Sequence, residues 1–378
     1  KMLLHNILFL IFYNITLILS QKPAAPLTTG YNQDEAKVLF MLSAGAYSIN
    51  PEPCIVRTFQ PTSKYILYNN HTEACDSGGN ICSFYTIVSE VEKKIIITFR
   101  GTKTKQQLLR EGLASLQNGI DFYGVGLVNR YFFKAHNVLW DDVVKIYDEP
   151  KYNNYKVYIT GHSLGGALAS LAAIRTQIEG YRNSNDITLY TFGQPRVGSP
   201  KFAFEFDKLI PHSWRIVHRL DIVPHLPACA KDHNSRLIKF EKDDSKPCNP
   251  YGGDYPYHHG TEIWYPTGMS ENDTFYECTG SPINEDFSCS DSISFEISKY
   301  STYISDHRHY FDHKITSFGK LGCIPNARGY EEIISDGAET AESTPENSKQ
   351  IIGTSNSAPS SNNGIFTKIT SKIQKIFG

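Results

Sequence analysis

The stretch that decides the fold is Tyr155-Lys-Val-Tyr-Ile-Thr-Gly-His-Ser163-Leu-Gly-Gly-Ala-Leu-Ala-Ser170. Its first residues are mostly β-branched or aromatic, which favours a buried strand. From Gly166 onward, small and apolar side chains favour a helix. The G-x-S-x-G pattern between them occurs often by chance, but a serine between a strand and a helix is typical of a nucleophile elbow. The glycines give strand and helix room to approach, so Ser163 can adopt a strained backbone conformation.

Length and composition allow a large globular domain. The chain has 378 residues, of which 40% are hydrophobic and 12% aromatic, and its formal net charge is -2. One large α/β domain with appendages or two domains would both fit this length. The near-neutral charge argues against a nucleic-acid partner.

The beginning of the chain is predicted to be a targeting segment. Residues 6–19 are mostly apolar and follow Lys1 and His5. This length suits the apolar core of a signal peptide better than a membrane-spanning helix. Residues 1–20 are therefore predicted to be a signal peptide. An uncleaved anchor is the alternative. Residues 21–30 are expected to form a flexible leader.

The end of the chain changes in composition after the expected folded domain, residues 31–331. Residues 332–363 are rich in small polar and acidic residues and are predicted to be a disordered linker. Residues 364–378 set five apolar side chains against three lysines, a basic amphipathic pattern typical of contact with a lipid surface. A tail helix without a role is an equally good interpretation.

All eight cysteines follow the predicted signal peptide. An even number in an exported chain indicates four disulfides, whose connectivity the sequence leaves open. Sequons at Asn70 and Asn272 are consistent with export and glycosylation. A zinc site is disfavoured because the chain contains no C-x₂-C pair. The pattern predicts a secreted, extracellular, disulfide-bonded protein.

The hydrophobic periodicity predicts an α/β fold. Lys94–Phe99 is a β-branched run typical of a buried strand, and strands alternate with helices from 94 to 220. This alternation predicts a mostly parallel central sheet with helices on both faces. Further predictions are helices at 31–48, 138–148 and 200–209 and strands at 54–59, 81–89, 186–192 and 261–265.

One short amphipathic segment, residues 104–116, follows the strand at 94–99. Four leucines share one of its faces and the remainder is polar; the leucines are Leu108, Leu109, Leu113 and Leu116. An ordinary surface helix is the default interpretation of such a pattern.

Candidates for the acid and the base of a serine hydrolase follow Ser163. A serine nucleophile requires a histidine that takes its proton and a carboxylate that orients the histidine, in the chain order serine, acid, histidine on this kind of sheet. Asp221 ends a predicted strand at 214–220, where parallel sheets collect their active sites, whereas Asp207 and Asp232 lack that position. Seven downstream histidines qualify by order: His225, His233, His258, His259, His307, His309 and His313. Order alone leaves the base open.

Five stretches stand in a fixed order along the chain: Phe99-Arg-Gly-Thr102, Gly161-His-Ser-Leu-Gly-Gly166, Thr191-Phe-Gly-Gln-Pro-Arg-Val-Gly198, Asp221-Ile-Val-Pro-His-Leu-Pro227 and Asp306-His-Arg-His-Tyr-Phe311. Together they resemble the fungal-type class 3 lipases. The resemblance extends from about Tyr31 to Cys323. It implies an α/β-hydrolase fold with a short helical lid over the site.

The resemblance selects the base. In that family the catalytic histidine opens an H-x-x-Y-F run, which here begins at His307. His258 matches a different stretch of the family and is the second choice. The implied triad is therefore Ser163, Asp221 and His307.

The oxyanion donors and the lid follow in the same way. The backbone N–H of Leu164 comes directly after the nucleophile, and the resemblance gives Thr102 as the other donor. It also gives residues 104–116 the role of a lid that opens its leucine face at a lipid surface.

Disulfide pairs are implied as well. The resemblance suggests Cys54–Cys323 and Cys75–Cys82; a local pair Cys278–Cys289 is then expected, and Cys229 and Cys248 remain for the fourth.

Three departures from the family pattern concern the lid and the acyl pocket. The lid lacks tryptophan, Val-Asn-Arg-Tyr-Phe at 128–132 replaces a His-x-Gly-Phe run, and Asp312 replaces a glycine.

The expected function is that of a secreted serine carboxyl-ester hydrolase, a triacylglycerol lipase that works without a metal or organic cofactor. An esterase or a phospholipase A1 would use the same chemistry, and a catalytically silent lipid-binding protein would keep the same fold. The expected partner is a lipid or other ester at an interface, with membrane contact through the lid and the tail.

Overall fold

A computed structural model describes residues 29–76, 79–101, 119–237 and 246–325. The chain divides into two units, Lys1–Tyr31 and Asn32–Gly378, and every element below belongs to the second. The predictions for the signal peptide, Thr102, the lid, the linker and the tail lie outside the described residues. Within the described part, no helix is both long and apolar enough to span a bilayer.

The strands form one large sheet and two short ribbons. Their bounds are β1 Ile66–Ala74, β2 Ile81–Ser89, β3 Lys94–Phe99, β4 Ile120–Asp121, β5 Leu127–Val128, β6 Lys156–His162, β7 Ile187–Phe192, β8 Ser213–His218, β9 Thr261–Tyr265, β10 Tyr276–Cys278, β11 His309–Tyr310 and β12 His313–Lys314. The large sheet has eight strands in the order β1-β2-β3-β6-β7-β8-β9-β10. Strands β3, β6, β7, β8 and β9 are parallel, and β1, β2 and β10 are antiparallel additions at the two edges. The prediction of a mostly parallel central sheet is confirmed.

The helices connect and cover the strands. The α-helices are α1 Gln33–Gly45, α2 Glu52–Thr58, α3 Arg130–Val143, α4 Leu164–Ile178, α5 Pro200–Leu209, α6 Tyr300–Arg308 and α7 Ile315–Lys320. Short 3-10 turns lie at Pro61–Ser63, Val144–Ile146, Pro150–Tyr152, Ser184–Asp186, Val223–His225, Ser290–Ser292 and Ile297–Lys299.

The two faces of the sheet are covered by different helices. Successive side chains of a strand point to opposite faces. In β6, Val157 and Ile159 pack in the apolar cluster that contains α4, whereas Thr160 contacts Ser43 of α1 through their hydroxyls, 3.1 Å apart. Helices α1 and α4 therefore lie on opposite faces of β6.

Helix α4 is the centre of the main core. It is apolar all around and buried along most of its length, as expected for a helix packed between a sheet and another helix. Its alanines and leucines pack with side chains of β3, β6 and β7 and with Phe132, Leu139 and Val143 of α3. Burial of one such large side chain contributes about 1.5–3 kcal/mol, so this layer fixes the position of the turn before α4.

Four helices differ from the sequence prediction. The strand predicted at 54–59 is wrong: Glu52–Thr58 is helix α2, which starts at proline and buries Cys54 and Ile55 while Val56 faces solvent. The helix predicted at 138–148 starts earlier, at Arg130, because the Asn129 side chain accepts from the N–H groups of Tyr131 and Phe132. Helices α6 and α7 were not predicted.

Four disulfides cross-link the described residues. The pairs are Cys54–Cys323, Cys75–Cys82, Cys229–Cys248 and Cys278–Cys289, the four expected above. The first joins α2 to the segment after α7, a separation of 269 residues. The other three close short loops.

Candidate active site

Ser163 occupies a sharp turn between β6 and α4. Its φ of 60° and ψ of -129° lie outside the regions that ordinary residues adopt. The turn is tight because α4 begins against the end of β3: a Cβ on Gly165 would lie 2.3 Å from the carbonyl oxygen of Phe99. Only glycine fits there, so the G-x-S-x-G pattern has a steric cause.

The Ser163 hydroxyl is buried and unpaired. The residue is 1% exposed, and within the described ranges its Oγ has no hydrogen-bond partner. Other buried hydroxyls, such as those of Thr98 and Thr191, share this feature, so it supports a role in catalysis only together with the strained backbone of Ser163. The structure accordingly contains no hydrogen bond between Ser163 and His307 in its described part. Such bonds are often long in ligand-free enzymes and shorten when substrate binds.

Asp221 and His307 form a buried pair. His307 Nδ1 lies 3.0 Å from Oδ1 and 2.9 Å from Oδ2 of Asp221. The carboxylate accepts two further hydrogen bonds, from the Tyr310 hydroxyl at 2.7 Å and from the Val223 N–H at 2.8 Å. Because Nδ1 faces a carboxylate, it carries the proton of a neutral ring and leaves Nε2 as the acceptor, the tautomer that a general base requires.

Gly193 makes room for this pair. Its φ is +56°, and a Cβ would lie 2.6 Å from Asp221 Oδ2, 2.8 Å from His307 Nδ1 and 2.9 Å from the Tyr310 hydroxyl oxygen. Both the backbone conformation and the space therefore exclude other residues. Sequence reasoning missed this role, although Gly193 stands in the quoted stretch at 191–198.

Tyr310 was also missed as a site residue. Burial, and next the charge of Asp221, raise the pKa of its hydroxyl well above 10, so the hydroxyl stays protonated and donates to the carboxylate. The H-x-x-Y-F run could have indicated this role, because it places Tyr310 three residues after His307.

His258, the second choice for the base, lies elsewhere. It is buried, and its Nε2 lies 2.7 Å from the carbonyl oxygen of Pro224. Burial, and next the charge of Arg215, lower its pKa well below 6.5. The histidine that contacts Asp221 is His307.

One predicted oxyanion donor lies within the described residues. Leu164 opens α4, and the first N–H groups of a helix have no acceptor inside the helix and favour negative charge. Thr102, the other predicted donor, and the four leucines of the predicted lid lie outside the described residues. The sequon residues Asn70 and Asn272 are both exposed.

Two groups in the described part have metal-ligand geometry: Cys229, Cys248 and Asp291, and Glu262, Cys278 and Cys289. In each group the two sulfurs are joined in a disulfide. Metal ligation by cysteine requires thiolates, so neither group fits a metal ion.

Known proteins similar to this chain include several lipases. The family model described as Lipase (class 3) matches residues 96–231. A lipase of Caenorhabditis elegans is 47% identical over 296 residues, which cover 78% of this chain and 84% of that protein. The lipase of Rhizopus niveus is 30% identical over 232 residues, 60% of this chain and 50% of that protein.

A solved structure is similar over most of the chain. It is that of a triacylglycerol lipase whose catalytic centre is described as a serine protease triad. Its TM-score is 0.56 and its identity 27%, with 76% of this chain and 97% of that chain covered. The family match at 96–231 includes Ser163 and Asp221, and His307 lies beyond it.

Proposed function

This chain belongs to the class 3 lipase family, and on that premise we propose that it hydrolyses triacylglycerol with Ser163, His307 and Asp221 as its triad. As a lipase it is a carboxylic ester hydrolase. One observation carries the proposed triad. The ring of His307, paired with Asp221, stacks on the ring of His162, the residue before a strained Ser163 whose hydroxyl has no partner among the residues described.

In the proposed reaction, the Ser163 oxygen attacks the acyl carbonyl while His307 Nε2 takes the hydroxyl proton. Asp221 stabilises the imidazolium that forms. Collapse of the tetrahedral intermediate breaks the ester bond, and His307 returns the proton to the leaving alcohol. Water then attacks the acyl-enzyme with His307 again as base, which releases the fatty acid. The N–H of Leu164, together with Thr102, would hold the oxyanion.

Triacylglycerol is the favoured substrate for two reasons. The solved structure described above is that of a triacylglycerol lipase, and the leucine face predicted for residues 104–116 suits a lipid surface. An esterase acting on soluble esters and a phospholipase A1 remain the alternatives that use the same triad. A silent lipid-binding protein would lack the reactive serine.

Covalent labelling with a fluorophosphonate tests the proposal. The wild-type chain should be labelled at Ser163, and Ser163→Ala should be folded, unlabelled and inactive. Rates on emulsified long-chain triacylglycerol, a soluble short-chain ester and phosphatidylcholine vesicles then separate the substrates. A chain that is not labelled has no such triad, and one that prefers the soluble ester or the phospholipid is not a triacylglycerol lipase.

Export and glycosylation belong to the same proposal. The eight paired cysteines and the exposed sequons at Asn70 and Asn272 suit an extracellular protein. Expression in a eukaryotic secretory host should yield cleavage near Ser20 and a mass that falls on glycan removal. A protein that is retained in the cell and unmodified would contradict this part.

A further inference from the structure

His162 stands next to Ser163, and the proposed reaction gives it no role. Its buried ring stacks on the ring of His307, with the centroids 4.5 Å apart and 29° between the planes. Its Nε2 lies 2.8 Å from the carbonyl oxygen of His307, and its Nδ1 lies 2.7 Å from the hydroxyl oxygen of Tyr47. These contacts fix both the plane and the rotation of the His162 ring.

The contact with the His307 carbonyl caps the C-terminal end of helix α6. His307 lies in the last turn of α6, where carbonyl groups have no partner inside the helix. The neighbouring carbonyl of Asp306 accepts from the His309 N–H and lies 3.1 Å from His218 Nδ1. His162 therefore supplies a donor to the His307 carbonyl.

The partners of His162 also determine its tautomer. A carbonyl oxygen only accepts, so Nε2 must carry the proton, and the Nδ1 of the neutral ring then accepts from the Tyr47 hydroxyl. Burial, and next the neighbouring His307, lower the pKa of His162 well below 6.5. The other groups that act on the ring are Tyr310, with centroids 5.7 Å apart, and Arg308.

We propose that His162 and Tyr47 are positioning residues for the proposed base. His162 holds the backbone and one ring face of His307, and Tyr47 holds His162 in the tautomer that can do so. A neutral His162 also matters in the reaction, because a second positive charge next to the His307 imidazolium would oppose its formation. This inference rests on the proposed triad.

Two variants and a matched control test the inference in the full chain. Tyr47→Phe removes the hydroxyl that faces His162, and His162→Gln removes the stacked ring. Tyr85→Phe is the control, since it removes another buried hydroxyl, one that donates to the carbonyl of Leu42 in helix α1. The measurements are kcat and KM on a soluble short-chain ester, counted per fluorophosphonate-labelled serine, and the pH dependence of kcat/KM.

A positioning role predicts a selective effect. We expect kcat per labelled site to fall about tenfold in Tyr47→Phe and about a hundredfold in His162→Gln, with KM within about twofold of wild type. The acidic limb of the pH profile should move to lower pH, because an imidazolium held less firmly against the Asp221 carboxylate is stabilised less. Tyr85→Phe should change neither quantity.

Two other results would overturn the inference in distinguishable ways. An unchanged kcat per labelled site and an unchanged acidic limb in both variants, with a lower Tm alone, would reduce the pair to packing. A wild-type chain that is not labelled at Ser163 would instead refute the triad on which the inference rests. If His162→Gln does not fold, Tyr47→Phe decides, since it removes a single oxygen atom.

Discussion

The carboxylate of Asp221 is held by donors from three directions. The His307 ring, the Tyr310 hydroxyl and the Val223 N–H all contact it, and it is fully buried. A carboxylate held in this way cannot rotate away from the imidazole, and it needs no water to satisfy its oxygens. The hydrogen bonds that hold the Asp221 carboxylate therefore also set the orientation of the proposed base, His307.

The choice of base gives the first prediction at this scale. His307→Ala should lower kcat per folded molecule by roughly 10³-fold or more, because the nucleophile loses its proton acceptor. His258→Ala should leave kcat nearly unchanged, since its contact is the Pro224 carbonyl. It should lower Tm, because a buried side chain is removed. Rates on a soluble ester, corrected for folded protein by near-UV circular dichroism, are the measurement. The reverse order of the two losses would refute His307 as the base.

Sequence reasoning reached these residues unevenly. Ser163 and Asp221 followed from their positions at the ends of predicted strands, because strand ends are visible as local pattern. His307 required the family resemblance, since the histidines after Asp221 are equivalent by chain order. The roles of Gly193 and His162 depend on neighbours that are distant in sequence, and a single sequence shows no sign of such contacts.

The secondary-structure elements were also predicted unevenly. Strands β3 and β6 were predicted because β-branched side chains fill both faces of a buried strand. Helix α6 was missed because Tyr300–Arg308 contains serines, threonine and charged residues without an apolar period. It is helical because Tyr303 and Ile304 pack on Ile222 and Val223, in the loop that carries Asp221. Tertiary packing thus overrides local propensity at the element that carries the base.

The elbow between β6 and α4 gives a prediction at the element scale. Alanine normally stabilises a helix by about 1 kcal/mol relative to glycine. In Gly165→Ala, however, the new Cβ would meet the Phe99 carbonyl oxygen at 2.3 Å and the Arg100 carbonyl carbon at 2.8 Å, both backbone atoms. We expect a loss of stability of about 2 kcal/mol or more and weaker labelling of Ser163, because the end of β3 must move.

Gly166→Ala is the matched control. Its Cβ would lie 3.1 Å from Gln194 Cβ and 3.3 Å from the Gly161 carbonyl oxygen, so these neighbours need to give by only a few tenths of an ångström. Its cost in urea unfolding should therefore be clearly smaller than that of Gly165→Ala. Equal costs at the two positions would show that β3 and α4 are not in tight contact, and would remove the steric explanation of the motif.

Across the whole molecule, a buried ionic cluster joins loops that follow different strands. The guanidinium of Arg196, after β7, pairs with both oxygens of Glu285 and with Asp291, at 2.7, 2.9 and 3.3 Å. It also donates to the carbonyl oxygens of His225 and Pro227, in the loop after Asp221. The cluster therefore fixes the position of that loop.

The cluster predicts a pH effect on stability. Burial raises the pKa of Asp291 to about 6 from 3.8. Between these values the folded chain binds a proton that the unfolded chain releases. The contribution of Asp291 to the free energy of unfolding therefore falls as pH rises from about 4 to 6. Asp291→Asn should remove that contribution, about 3 kcal/mol for a pKa raised from 3.8 to about 6. Urea midpoints at pH 4.5, 5.5 and 7.5 should then show a smaller decline with pH in the variant than in wild type. Parallel curves for the two chains, as expected for the exposed control Asp254→Asn, would contradict the assignment.

The disulfide nearest the end of the described residues leads to a prediction for the segment that follows it. Cys323 is fully buried, is joined to Cys54 of α2 and donates its N–H to the Phe318 carbonyl. A chain that ends at residue 331 retains this disulfide, so it should keep the Tm of the full chain and its soluble-ester kcat within about twofold.

If residues 364–378 contact lipid, the shorter chain should bind anionic vesicles more weakly, because apolar burial and three lysines are lost together. The matched control replaces those three lysines with glutamine in the full chain, which removes the charge and keeps the apolar face. A large loss of soluble-ester activity on truncation would show that residues 332–378 belong to the catalytic domain.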